Sequence, residues 1–301
     1  MQFHLTIVGV VAATFAFSQT AQTLFNSGVN KFDAKNYAGA IADLTEAIKL
    51  DPNFTDAYFN RGLAQSYKGD DVEAIKDFTC VIKLYPQDYE AYYNRGYCKT
   101  NLGLYDEATA DFTMAIGIKP DYASAYFERG VAKGKTGDYE GGIQDYNKVV
   151  QLNSNYPSVY FNRSNLKSKM NDFSGAIADL NLAIKQKPTD YEAYFYRGLY
   201  KSKIEDTEGA IADYTLAIGI KPDYADAFFN RGYLYYNIGY YEAALENHTR
   251  VIALEPNAYD AYYERGLCKI AIGDVTACSD FKKALELGSK IAASEIDKYC
   301  Q

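Results

Sequence analysis

The chain has 301 residues, of which 48% are hydrophobic and 15% aromatic, enough to bury a substantial core or to run as an extended array. Its 31 Lys and Arg against 39 Asp and Glu give a formal charge of −8. That balance excludes the basic surface of a general phosphate-backbone binder, so nucleic acid is not an expected partner.

At the front, Leu5 to Phe17 is an apolar run too short for the roughly 20 residues that span a bilayer. Small residues Ala16 and Ser18 precede a cut before Gln19, so residues 1–18 are expected to be an export signal. No cysteine follows until Cys80, which argues against a lipid anchor, and no later stretch is apolar enough to insert in a membrane. The expected product is periplasmic or secreted; a cytoplasmic chain with an apolar first helix is the alternative.

From there a comb organises the chain. Gly28, Gly62, Gly96, Gly130, Gly198, Gly232 and Gly266 recur every 34 residues, with Ser164 in the vacant place. Prolines (Pro52, Pro86, Pro120, Pro188, Pro222, Pro256) and alanines (Ala40, Ala74, Ala108, Ala176, Ala210, Ala244) keep the same register. Each unit reads as two helices: Tyr58, Phe59, Leu63 and Ala64 give one apolar face, Gly69-Asp70 the turn, and Ala74, Ile75, Phe78, Val81 and Ile82 a second. One such pair cannot bury both faces alone and must stack on its neighbours.

Period, aromatic pair, glycine, small residue and proline together resemble the tetratricopeptide repeat over Ala21 to about Ala292. The resemblance implies an all-α, right-handed superhelical solenoid of eight repeats within 19–292 (about 21–54, 55–88, 89–122, 123–156, 157–190, 191–224, 225–258 and 259–292), its first helices lining a concave groove. Residues 293–301 would form a C-terminal capping helix, with Ile291, Ile296 and Tyr299 turned inward and Glu295, Asp297 and Lys298 outward.

The chain departs from the family pattern at Arg61, Arg95, Arg129, Arg163, Arg197, Arg231 and Arg265, where a buried leucine is usual. Such guanidiniums need carboxylates, and Asp43, Asp77, Asp111, Asp145, Asp179, Asp213 and Asp280 recur in the second helices, so an Arg-Asp ladder is expected. Pairs could form within a repeat, leaving Arg231 on Asn247 and Asp43 without an arginine, or across the boundary, leaving Asn247 on Arg265 and Ser27 without an arginine; counting does not settle which, and the cross-boundary version is the expectation. The fourth and fifth repeats are the weakest: Gly141-Gly142 lies in a second helix, Ser154 replaces the proline, and Pro157 would start the next helix.

Catalytic chemistry is sparse. The one histidine after the signal, His248, occupies an aromatic slot and reads as packing. Gly134-Lys135-Thr136 lacks the first glycine and the strand of a phosphate loop, and the carboxylates recur at surface offsets. The five cysteines show no metal-ligand spacing. Neither enzyme activity, cofactor nor metal is therefore expected. Cys278 and Cys300 lie nearly symmetrically about Gly288 and would meet in an antiparallel helix pair; Cys268 competes for Cys278, and free thiols are the third option.

The resemblance puts function in the groove. Its aromatic slot holds Phe25, Phe59, Tyr93, Phe127, Phe161, Phe195, Phe229 and Tyr263, followed by Asn26, Asn60, Asn94, Asn162 and Asn230. In the long repeat array of O-linked N-acetylglucosamine transferase, such asparagines hold a peptide backbone, as an amide's donor and acceptor allow. Lys135, Lys169 and Lys203 could add a basic patch that selects an acidic segment. The carboxylate clamp of chaperone-binding relatives is not reproduced. The expected function is a non-enzymatic scaffold that binds a peptide or protein segment; the alternative is an assembly subunit that docks a folded partner on its convex face or ends.

Overall fold

The computed structural model describes residues 20–156 and 158–300. The export signal expected at 1–18 and the residue Pro157 lie outside them. All regular structure among the described residues is helical. The first helices of the repeats are α1 (20–33), α3 (Thr55–Lys68), α5 (Tyr89–Asn101), α7 (Ala123–Thr136), α9 (Val159–Lys169), α11 (Tyr191–Lys203), α13 (Ala225–Asn237) and α15 (Tyr259–Ala271). The second helices are α2 (Tyr37–Leu50), α4 (Asp71–Leu84), α6 (Tyr105–Ile118), α8 (Tyr139–Leu152), α10 (Phe173–Gln186), α12 (Thr207–Ile220), α14 (Tyr241–Leu254) and α16 (Ala277–Glu286), and α17 (Ala292–Tyr299) follows. Two compact units divide at 156/157: α1–α8 and α9–α17.

Local chemistry sets the ends of these helices. Asp138, Asp172 and Asp206 each accept from the amide three residues on, at Gly141, Gly175 and Gly209, and so cap α8, α10 and α12. α8 runs unbroken through Gly141-Gly142 behind this cap. Gly69 (φ 91°) and Gly137 (φ 89°) end α3 and α7 in the left-handed region that a side chain resists. α9 begins only at Val159, behind Ser158 at φ 59°, so it is shorter than the other first helices.

The glycine comb has a packing cause. A Cβ on Gly62 would stand 3.0 Å from the Phe78 ring, and one on Gly266 only 2.5 Å from that of Phe281. The second-helix aromatic lies directly on the first helix. Where Ser164 replaces the glycine, Leu180 replaces the aromatic, and both are fully buried. Within each unit consecutive first helices touch, α3 with α5, α5 with α7 and α13 with α15, more than second helices do. Each stack thus closes on its first-helix side.

The capping helix turns a different face inward from the one expected. Ala292 is fully buried, and Ile296 and Cys300 pack on Phe281 and Ala277, whereas Ile291 (58% exposed) and Tyr299 (39% exposed) face out. Cys300 sets this register, because its Sγ is joined to that of Cys278, with Cα atoms 5.6 Å apart. Cys268 is buried and free, its thiol pushed up to about 12 by desolvation.

Candidate binding groove and the ladder behind it

The ladder exists, but its pairs lie within repeats rather than across boundaries. Arg61 Nε and Nη2 donate to the two carboxylate oxygens of Asp77 at 2.8 and 2.7 Å. The same bidentate contact joins Arg95 to Asp111, Arg129 to Asp145, Arg163 to Asp179, Arg197 to Asp213 and Arg265 to Asp280. What crosses the boundary is the other guanidinium nitrogen: Arg61 Nη1 reaches Thr45 Oγ1, Arg95 reaches Thr79, and Arg129 reaches Thr113. The hydrogen bonds that Arg61 and Arg265 donate to Asp77 and Asp280 raise the pKa of each arginine against the opposing effect of burial.

Two further members escaped the sequence reading. Lys99, Lys133, Lys167, Lys201 and Lys269, one helical turn after five of the seven arginines, place a second cation 2.8–2.9 Å from the same carboxylates. The aromatic three residues before each arginine lies under its guanidinium, as Tyr58 does under Arg61 at 5.5 Å and Tyr194 under Arg197 at 5.3 Å. Both offsets, i+4 and i−3, are visible in the sequence. In the first repeat, Lys31 and Ser27 hold Asp43, and their hydrogen bonds lower its pKa.

The groove aromatics serve packing as much as display. Phe59 lies edge-on to Phe78, and Tyr93 and Phe127 each touch two rings, Phe112 with Tyr122 and Tyr146 with Tyr156. Phe161 meets Tyr196, and Phe229 meets His248. Phe195 is buried against Tyr214 and Tyr224, so it offers little surface to a ligand, contrary to the expectation. The half-buried Asn60, Asn94, Asn162 and Asn230 donate from Nδ2 to the carbonyl four residues back, at 2.8–3.0 Å. That bond fixes each amide and orients its Oδ1 and second N–H.

The displayed aromatics lie further along the first helices, Tyr97 one turn after Tyr93 and Tyr67 two turns after Phe59. Tyr67 (65% exposed) and Tyr97 (42% exposed) flank a depression of about 500 Å³ between α3 and α5, with Leu63, Ser66, Asn94 and Asn101 in its walls. Beneath it, Asp71 accepts from Ser66 Oγ and Asn101 Nδ2 at 3.0 and 3.1 Å. Glu128, in the slot that asparagine fills elsewhere, is half-buried, and desolvation raises its pKa beside Tyr93 and Tyr97. Lys135, Lys169 and Lys203 are exposed in the last turns of α7, α9 and α11, where a cation suits the helix dipole. His248 is fully buried with neither ring nitrogen hydrogen-bonded. Among the described residues no group of His, Cys, Asp and Glu could hold a metal, and no helix is long and apolar enough to cross a membrane.

Family models agree with this architecture along the chain. Models described as tetratricopeptide repeat match residues 56–88, 89–122, 123–156, 157–190 and 225–257, and one described as TPR repeat matches 31–69 and 202–239. The chain belongs to the tetratricopeptide repeat family. No curated protein matches it. Among solved structures, the MamA protein is 28% identical with a TM-score of 0.53, over 57% of this chain and 94% of that one. The C-terminal part of a TPR repeat-containing protein from Cytophaga hutchinsonii is 18% identical, with a TM-score of 0.70 over 80% of this chain and 98% of that one. YrrB, a TPR protein with an unusual peptide-binding site, is 22% identical, with a TM-score of 0.55 over 61% of this chain and 95% of that one.

Proposed function

We propose that the protein is a non-enzymatic scaffold whose first-helix face receives an extended segment of a partner protein. The observation that carries this reading is the depression between α3 and α5, where Tyr67, Tyr97 and the oriented amide of Asn94 converge. Rigid stacked helices hold these groups before the partner arrives, so little ordering entropy is lost on the protein side. In unit 1, Phe59, Tyr93 and Phe127 stand in the first-helix aromatic slot and Asn60 repeats the amide; in unit 2, Phe161 and Phe229 fill the same slot beside Asn162 and Asn230. Lys135 adds an exposed cation at the end of α7, as Lys169 and Lys203 do at the ends of α9 and α11 in unit 2, and Glu128 favours a segment that brings a donor or a cation to α7. YrrB, by its description a peptide binder, supports the class of ligand. Export, as residues 1–18 suggest, suits a chain that carries the Cys278–Cys300 bridge.

A selection of extended peptides on the intact chain tests the reading, with Tyr67→Ala/Tyr97→Ala as the comparison. Both side chains are exposed, so the variant keeps its helicity, and bound peptides are expected to lose about tenfold or more in affinity. Peptides held equally by both proteins would remove the groove from the account. A second reading has its own observation: Leu182 and Leu216, at the same position of α10 and α12, are 41% and 49% exposed, an apolar pair suited to a folded partner on the second helices of that unit. Loss of a partner on changing these residues, with Tyr67 and Tyr97 neutral, would favour it.

A further inference from the structure

The seventh repeat breaks the ladder and adds charge at the same place. Asn247 stands where six other repeats carry the paired aspartate. Arg231 keeps its Nε bond to Asn247 Oδ1 and its Nη1 bond to Thr215 Oγ1, both at 3.0 Å. Its Nη2, which meets a carboxylate oxygen in those six repeats, has no partner among the described residues. Three residues after Asn247 comes Arg250; the preceding repeats hold Glu46, Cys80, Met114, Lys148, Leu182 and Leu216 there. The exchange removes an anion and supplies a cation.

The two arginines share one cavity. Arg231 and Arg250 both lie over the Phe228 ring, at 5.5 and 6.0 Å, and line a space of about 480 Å³ between α13 and α14. Thr249, also in its wall, makes no hydrogen bond among the described residues. Glu246 also lines the cavity, and among the described residues it forms no ion pair with either arginine. The space is far larger than one water, whose share is about 30 Å³, and one wall is aromatic.

We propose that this cavity binds a monocarboxylate with an apolar tail, its carboxylate bridging Arg231 Nη2 and the Arg250 guanidinium and its tail lying on Phe228. The planar fork of a guanidinium matches a carboxylate, which is the group that this arginine meets in the rest of the ladder. Glu246 disfavours a second negative charge, so dianions such as phosphate bind less well. A free organic acid and the C-terminus of a peptide share this chemistry.

The test is a titration of the intact chain with hexanoate, followed by the 15Nε signals of its arginines, beside hexanamide, inorganic phosphate and a short peptide with a free or amidated C-terminus. Saturable hexanoate binding is expected, about tenfold or more weaker for hexanamide and phosphate. Asn247→Asp fills the free edge from within and Arg250→Leu restores the residue of the fifth and sixth repeats; each is expected to weaken hexanoate by a similar factor. Asn247→Asp also raises the melting temperature, which separates lost binding from lost folding. The free-acid peptide binding more tightly than hexanoate identifies a protein terminus as the source; the reverse identifies a free acid. Absence of saturation below about 10 mM, a Kd that corresponds to roughly −2.7 kcal/mol, would overturn the proposal, as would variants that bind like the parent or phosphate that binds more tightly.

Discussion

Arg61 donates from Nη1 to Thr45 Oγ1 at 3.1 Å across the boundary between the first and second repeats, while its other edge holds Asp77 of its own repeat. One side chain thus joins two helices of a pair and the pair to its neighbour. The aspartates are 2–5% exposed, so removing one strands a half-buried cation pair. Asp111→Ala is expected to destabilise the first unit by about 3 kcal/mol, and Asn247→Asp to stabilise the second by about 1 kcal/mol. Urea unfolding of both variants measures this; equal and small effects would reduce the ladder to ornament.

His248 makes the second unit sensitive to acid. Burial, assisted by the charge of Arg265, pushes its pKa down to about 4, against roughly 6.5 in an unfolded chain. Between those values the unfolded state binds the proton and the folded state does not. Stability is therefore full above about pH 6.5, falls as the pH drops towards 4, and stops falling through this group below that. His248→Phe, the residue of the second and third repeats, is expected to remove a loss on the order of 3 kcal/mol between pH 7 and 4. Parallel stability profiles of the two proteins would refute it.

Ser164 and Leu180 are a matched pair in place of glycine and an aromatic. Leu180→Phe alone is expected to cost about 1–3 kcal/mol through overpacking against the serine. Adding Ser164→Gly should restore most of it. A double-mutant cycle that shows no coupling would mean the two positions vary independently.

Reduction of Cys278–Cys300 frees a loop of 22 residues and is expected to lower the stability of the α16–α17 end by about 3 kcal/mol. Amide exchange in α17 should rise on adding dithiothreitol while α13 stays protected. Unchanged protection would show that Ala292 and Ile296 hold the helix by packing alone.

The comb made the helix pairs legible, because glycine, alanine and proline each answer a local need that recurs every 34 residues. The ladder's partners were legible too, but their assignment to repeats was not: counting residue types ignores that a guanidinium has two edges, one for Asp77 and one for Thr45. Lys99 stands one turn after Arg95, an offset that the search for carboxylate partners alone does not test. In the groove, the slot pattern treated Phe195 as displayed, whereas ring contacts with Tyr214 and Tyr224 bury it. The displayed rings, Tyr67 and Tyr97, occupy positions that the other repeats fill with varied residues, so no comb marks them. For the cap, the inward face was counted from Ile291, and the cysteine that fixes the register was not used to count it.

Closing the last helix onto its neighbour with a covalent bond gives unit 2 a direction. A stack of pairs held by nearest-neighbour contacts frays from whichever end is loosest. With α17 tied to α16, unravelling of residues 158–300 starts from α9, the shortest first helix, and proceeds towards the bridge. A protease or an unfoldase would meet resistance from one side and a handle on the other.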